Sequence, residues 1–229
     1  MNAQLVGNLI WTLGAGVLGF IITAIAAGKY ELSRSKLVGW YVVLAGGFFY
    51  AFLRWNGVNL IQEFTDRWIW GLVAAVFAGA IAINNVLSQP SYQRERGFKL
   101  VADLTWNGIV YGLIDGLFLS VLPVLAIWKG FSEFTWADGL GGQVLVGLIA
   151  ILASLYITAL YHLGYPEFRG KEVLMTLLGN GIFSLAYLVS LNPISATVAH
   201  VGMHVAAVTK GKEKTIQLPP HYPNEEKTL

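Results

Sequence analysis

His200 and His204 stand four residues apart in a stretch, Asn192 to Val208, that is otherwise uncharged. Side chains at this spacing share one face of a helix, and two imidazoles placed so are the pair with which helices commonly chelate zinc. His162 or Asp115 would supply a third ligand, and a bound water would complete a hydrolytic centre. The glutamate of a soluble HExxH motif is missing, because Val201, Gly202 and Met203 fill the interval. The same residue types also suit a second role. Histidine, aspartate and asparagine inside an apolar bundle can line a cavity for a small molecule or an ion, or can bond neighbouring helices together. A bis-histidine haem site fits less well, since it needs a partner histidine at matching depth and His162 is poorly placed for it.

The elements that must carry these residues are membrane helices. Of 229 residues, 55% are hydrophobic and 12% charged, with a mean hydropathy of +0.60, far from a soluble domain. Apolar stretches long enough to cross a bilayer run from Leu5 to Ala27, Leu37 to Trp55, Trp68 to Ser88, Thr105 to Trp128, Leu140 to Leu163, Val173 to Leu191 and Asn192 to Val208. Pro193 cannot continue a regular helix, so a tight hairpin is expected between the last two. The sequence therefore predicts an all-α polytopic bundle of seven transmembrane helices. Residues 1–208 form one domain and 209–229 a polar cytoplasmic tail, an extended strap or a partly disordered segment, carrying Pro219, Pro220 and Pro223. A short interfacial helix is expected within Asn56 to Arg67. Gln89 to Asp103 reads as the longest inner loop, and Lys129 to Gly139 as an outer loop anchored by Phe131, Phe134 and Trp136.

Orientation follows from the basic residues. With the N-terminus outside, Lys29, Arg34, Lys36, Arg94, Arg96, Lys99, Arg169, Lys171, Lys210, Lys212, Lys214 and Lys227 all fall inside, against Arg54, Arg67 and Lys129 outside. That bias fits a prokaryotic cytoplasmic membrane. The first segment lacks a basic n-region and reads as a retained helix. The absence of cysteine excludes thiolate chemistry, and topology accounts for the net charge of +2, so nothing argues for nucleic acid. Gly14 to Gly19 matches a dinucleotide pattern in letters only; inside an apolar helix its glycines are expected to let another helix approach. Trp68, Trp70, Trp106 and Trp128 fall at span ends as interfacial anchors.

Polar residues form stripes along the later spans. Asn107, Tyr111 and Asp115 follow at steps of four in the fourth; Ser154, Thr158 and His162 do so in the fifth. Asn180, Ser184 and Tyr187 mark the sixth, and Thr197, His200 and His204 the seventh. Polar faces turn inward in lipid. Asp115 would enter about ten residues, or roughly 15 Å, from the inner surface, near the depth of His200. Asp115, Asn107, Tyr111, Asn180, Thr158, His162, His200 and His204 are the expected lining of a cavity in the cytoplasmic half.

The C-terminal run Gly181 to Tyr187, Asn192 to Ala196 and His200 to His204 resembles the closing segment of the CAAX protease and bacteriocin-processing family of intramembrane metalloproteases. His200 matches that family's histidine, and His204 stands where asparagine is usual. Glu167, Phe168, Arg169 and Gly170 echo the end of its glutamate motif, without the paired glutamates. The resemblance implies a zinc-dependent hydrolase acting at the inner leaflet on a lipid or a peptide. A terminal HxxxH after seven spans is also similar to the progestin and adipoQ receptor family of zinc-containing hydrolases, whose early-helix histidine is missing here and whose topology is the inverse. The residues themselves favour a membrane protein that binds or carries a small molecule or ion, or an accessory subunit with a membrane-protein partner. A metal-dependent hydrolase, with zinc on His200, His204 and His162, is the alternative.

Overall fold

The computed structural model describes residues 2–91, 93–211 and 216–221. Apolar runs become helices wherever side chains must face lipid, because backbone groups in hydrocarbon can be satisfied only within a helix. The described residues form α1 (Ala3–Lys29), α2 (Arg34–Asn56), a short α3 (Leu60–Thr65), α4 (Trp68–Ser88), α5 (Phe98–Phe131), α6 (Leu140–Leu163), α7 (Glu172–Ser190) and α8 (Ile194–Lys210). Asn2 caps α1, accepting bonds from the amides of Gln4 and Leu5 at 2.7 and 3.2 Å. Gly57, at φ 63°, ends α2 in the left-handed conformation, and Asn59 then caps α3.

Six of these helices are long and apolar enough to cross a membrane: α1, α2, α4, α5, α6 and α7. The seventh expected segment is helical but has 17 residues, about 26 Å at 1.5 Å per residue, a little short of the hydrocarbon core of about 30 Å. It runs on to Lys210, past the expected domain boundary at Val208. The hairpin between α7 and α8 is present, with Leu191 at φ 52°. Asn192 fixes it: its Nδ2 donates to the carbonyls of Glu63, Phe64 and Asp66, and its Oδ1 accepts from the Ile194 amide at 2.8 Å. Asn192 also fits against Gly71, where a Cβ would stand 2.5 Å from its Oδ1.

Helix α5 is the centre of the bundle. It packs against α1, α2, α6, α7 and α8, while α8 lies between it and α4. It is longer than the apolar segment Thr105 to Trp128, beginning at Phe98 within the expected inner loop and ending at Phe131. It widens into π-helix over Leu104–Val110 and Gly116–Val121. Such segments are frequent at functional sites, and the second begins directly after Asp115. The glycines of α1 allow the expected close approach, since a Cβ at Gly16 would lie 2.6 Å from the Tyr156 ring of α6.

Candidate functional site

Asp115 comes from α5 and His204 from α8, and glycine sets the distance between them. Gly108, Gly112 and Gly116 recur at steps of four on α5. A Cβ there would lie 3.0 Å from Val205 Cγ2, 2.8 Å from Val201 Cα and 2.8 Å from Thr197 Cα respectively. Thr197, Val201 and Val205 recur at the same step on α8, so the two helices run with their backbones in contact. Beside that seam His204 Nε2 and Asp115 Oδ2 are 3.0 Å apart. His204 is 2% exposed and Asp115 4%.

One proton lies in this hydrogen bond, and each partner keeps a second polar atom. Asp115 Oδ1 and His204 Nδ1 are buried with no hydrogen-bond partner, as is the hydroxyl of Tyr41. Buried polar atoms are nearly always paired; these present no surface to solvent or cavity, and the Tyr41 hydroxyl is placed as a hydrogen-bond donor toward Asp115. His200 Nδ1 lies 3.0 Å from the Ala196 carbonyl and His162 Nδ1 2.8 Å from that of Thr158. A ring nitrogen facing a carbonyl must carry its hydrogen, which makes the Nε2 of each neutral ring an acceptor. The His204 ring packs on Tyr111 with centroids 4.6 Å apart, and His200 packs on Phe183 at 4.2 Å.

A second polar cluster binds α5, α6 and α7 together around Asn180. Ser120 Oγ donates to Asn180 Oδ1 at 2.7 Å, and Asn180 Nδ2 donates to Ser154 Oγ at 2.7 Å and Thr158 Oγ1 at 2.6 Å. Ser154 and Ser184 complete it at 2.7 Å. Three phenols form a third cluster: the Tyr161 hydroxyl bonds to those of Tyr111 at 2.8 Å and Tyr165 at 3.0 Å. Tyr165 lies beyond the end of α6, and burial pushes its phenol well above the ordinary value.

These residues surround a cavity of about 470 Å³, within the size range of small-molecule sites. Tyr111, Asp115, His162, Asn180, His200 and His204 all line it. Asn107 and Thr158, expected beside them, do not. Asn107 lies in the first π-segment of α5 and donates to Asp103 Oδ1 at 3.1 Å; the wider π-turn takes it off the line of Tyr111 and Asp115. Thr158 stands behind Asn180, which takes its hydroxyl. The expected zinc set of His200, His204 and His162 is not assembled. No group of three or more metal-binding side chains converges among the described residues.

The remaining wall is one that stripes could not reveal. Ile216, Gln217 and Pro219 of the C-terminal segment line the cavity beside Asn85 of α4 and Gln89 just past its end. Arg34 donates from Nε to the Leu218 carbonyl at 2.7 Å and from Nη2 to that of Pro220 at 3.1 Å. Glu167 accepts from the His221 amide at 3.0 Å and bonds its Nδ1 at 2.9 Å. Gln217 meets Gln89 at 3.1 Å. Residues 216–221 thus cross the end of the cavity at the bundle's basic end. Comparison of the chain with family models, with curated proteins and with solved structures finds no match.

Proposed function

We propose that the chain is an integral membrane protein of seven spans, with its N-terminus outside, that binds or carries a small molecule in a cavity of its cytoplasmic half. Asp115 and His204 are the polar anchor of that cavity. The observation that carries this reading is the pair itself: a buried acid and imidazole, bonded to each other at 3.0 Å, in two residues that line a cavity of about 470 Å³. An intramembrane ionisable pair is costly and tends to mark a ligand path. The enzymatic reading, a hydrolase like the CAAX protease family, would need Glu167 as its acid. That carboxylate is bonded to His221 at the rim, which favours binding over hydrolysis.

The chain has no cysteine, so single introduced thiols report water access cleanly. Met203 lines the cavity, and Ser184 is sealed in the Asn180 cluster. In native membranes Met203→Cys is expected to react with a small permeant thiol reagent while Ser184→Cys stays unmodified. Equal protection of both would sink the cavity reading.

A further inference from the structure

The geometry points to a long-chain amphiphile with a hydrogen-bond-donating head group, a hydroxyl or an amine, as the ligand of this cavity, entering from the bilayer between α4 and α7. The inference rests on the binding reading above and adds the chemical class and the route.

The route follows from what stands on each side. Residues 216–221 cross the cavity at the basic end, held by Arg34, Glu167 and Gln89. Toward α4 and α7 the lining is different. Ile81, Met175 and Leu178 line the cavity and are also 56%, 54% and 65% exposed on the outside of the bundle. An exposed apolar side chain on a membrane helix faces acyl chains. These three therefore belong to both surfaces at once, and the gap between α4 and α7 joins the cavity to lipid. The two helices are in contact, while Gly179 of α7 lines the cavity with no heavy atom within 4 Å of where a Cβ would stand.

The head group follows from the polar wall. His200, its Nδ1 bonded to the Ala196 carbonyl, offers Nε2 as an acceptor on the wall it shares with Asp115 and His204. An imidazole acceptor there calls for a donor. Among the described residues no lysine or arginine lines the cavity, so a phosphate or carboxylate head group would meet the Asp115 carboxylate with no cation to offset it. A hydroxyl or a primary amine meets the acceptor, and its chain lies along Phe183, Met175, Leu178 and Ile81 toward the bilayer.

The full chain in lipid nanodiscs, exposed to a long-chain alcohol carrying a photoreactive diazirine, tests this. Labelling is expected within residues 78–89 and 175–183. Hexadecanol and hexadecylamine should compete. The methyl ether of hexadecanol keeps the chain and the oxygen but lacks the donor, and should compete about tenfold less, as expected for one lost hydrogen bond. Leu178→Trp, a change at an exposed position, should lower labelling by narrowing the entry, and His200→Phe should erase the preference for alcohol over ether. Labelling spread over every lipid-facing helix, or equal competition by ether and alcohol, would overturn the inference. If Met203→Cys reacts with the thiol reagent and the alcohol still does not label, the amphiphile is wrong and the cavity stands; if neither occurs, both readings fall.

Discussion

Replacing Gly112 with alanine adds one methyl group at one of the two closest points of the α5 and α8 seam. That methyl carbon would fall 2.8 Å from Val201 Cα, 3.0 Å from its amide nitrogen and 3.1 Å from the His200 carbonyl oxygen. All three are backbone atoms, so no rotamer can relieve the clash and the helices must part. Overpacking of this kind costs about 1–3 kcal/mol, and the rigid neighbours place it in the upper part of that range. Alanine recovers roughly 0.5–1 kcal/mol over glycine inside a helix, which leaves a net loss of about 1–2 kcal/mol. Gly47, with no heavy atom within 4 Å of a Cβ position, is the control: there alanine should stabilise by roughly 0.5–1 kcal/mol. Reversible unfolding of the detergent-solubilised protein by dodecyl sulfate measures both. A Gly112→Ala protein as stable as Gly47→Ala would refute the account of how Asp115 is brought to His204.

Tyr161→Phe leaves the hydroxyls of Tyr111 and Tyr165 without their common partner and should cost about 1–3 kcal/mol in the same unfolding assay; a neutral result would show that the phenols are not coupled. Because burial raises the Tyr165 phenol, the neutral form is the folded form. Its contribution to stability is whole below the ordinary phenol value near pH 10 and is lost as pH rises beyond it. The difference in 295-nm absorbance between the wild type and Tyr165→Phe should show no phenolate at pH 10.5; a signal there would contradict burial. Arg34→Ala removes two bonds to the C-terminal segment, so deuterium uptake by residues 216–221 should rise while α4 and α6 stay protected; unchanged uptake would mean that Arg34 does not hold the strap.

Much of this architecture is legible in the chain. The segments Trp68 to Ser88 and Leu140 to Leu163 coincide with α4 and α6, because each is bounded by residues a buried helix cannot carry onward, Gln89 and Pro90 after the first and Gly139 before the second. The ends of α5 are not legible. Hydropathy marks where a helix leaves the lipid, and this helix continues beyond that limit at both ends. Its π-segments leave no pattern of their own, so Asn107 shared a stripe with Asp115 on paper and faces Asp103 in the fold. Spacing placed His200 and His204 on one face, yet the same spacing serves chelation, ligand binding and packing alike. What separates these is the partner across the seam, and that depends on the glycines. Gly108, Gly112 and Gly116 are visible as an interval of four, a recognisable signal for close helix approach, but the interval does not say which helix answers it. The strap is the least legible part, since Arg34 and Glu167 reach it over long sequence separations with no periodicity to announce them.

The coupling between Asp115 and His204 is the heart of the account, and a double-mutant cycle measures it directly. Unfolding free energies of wild type, Asp115→Ala, His204→Ala and the double variant give the interaction term. A buried hydrogen bond between these groups predicts a coupling of about 1.5–3 kcal/mol, with each single change leaving its partner buried and unpaired and the double change costing less than their sum. Additivity within roughly 0.5 kcal/mol would contradict it, leaving two separate polar residues in place of one anchored pair.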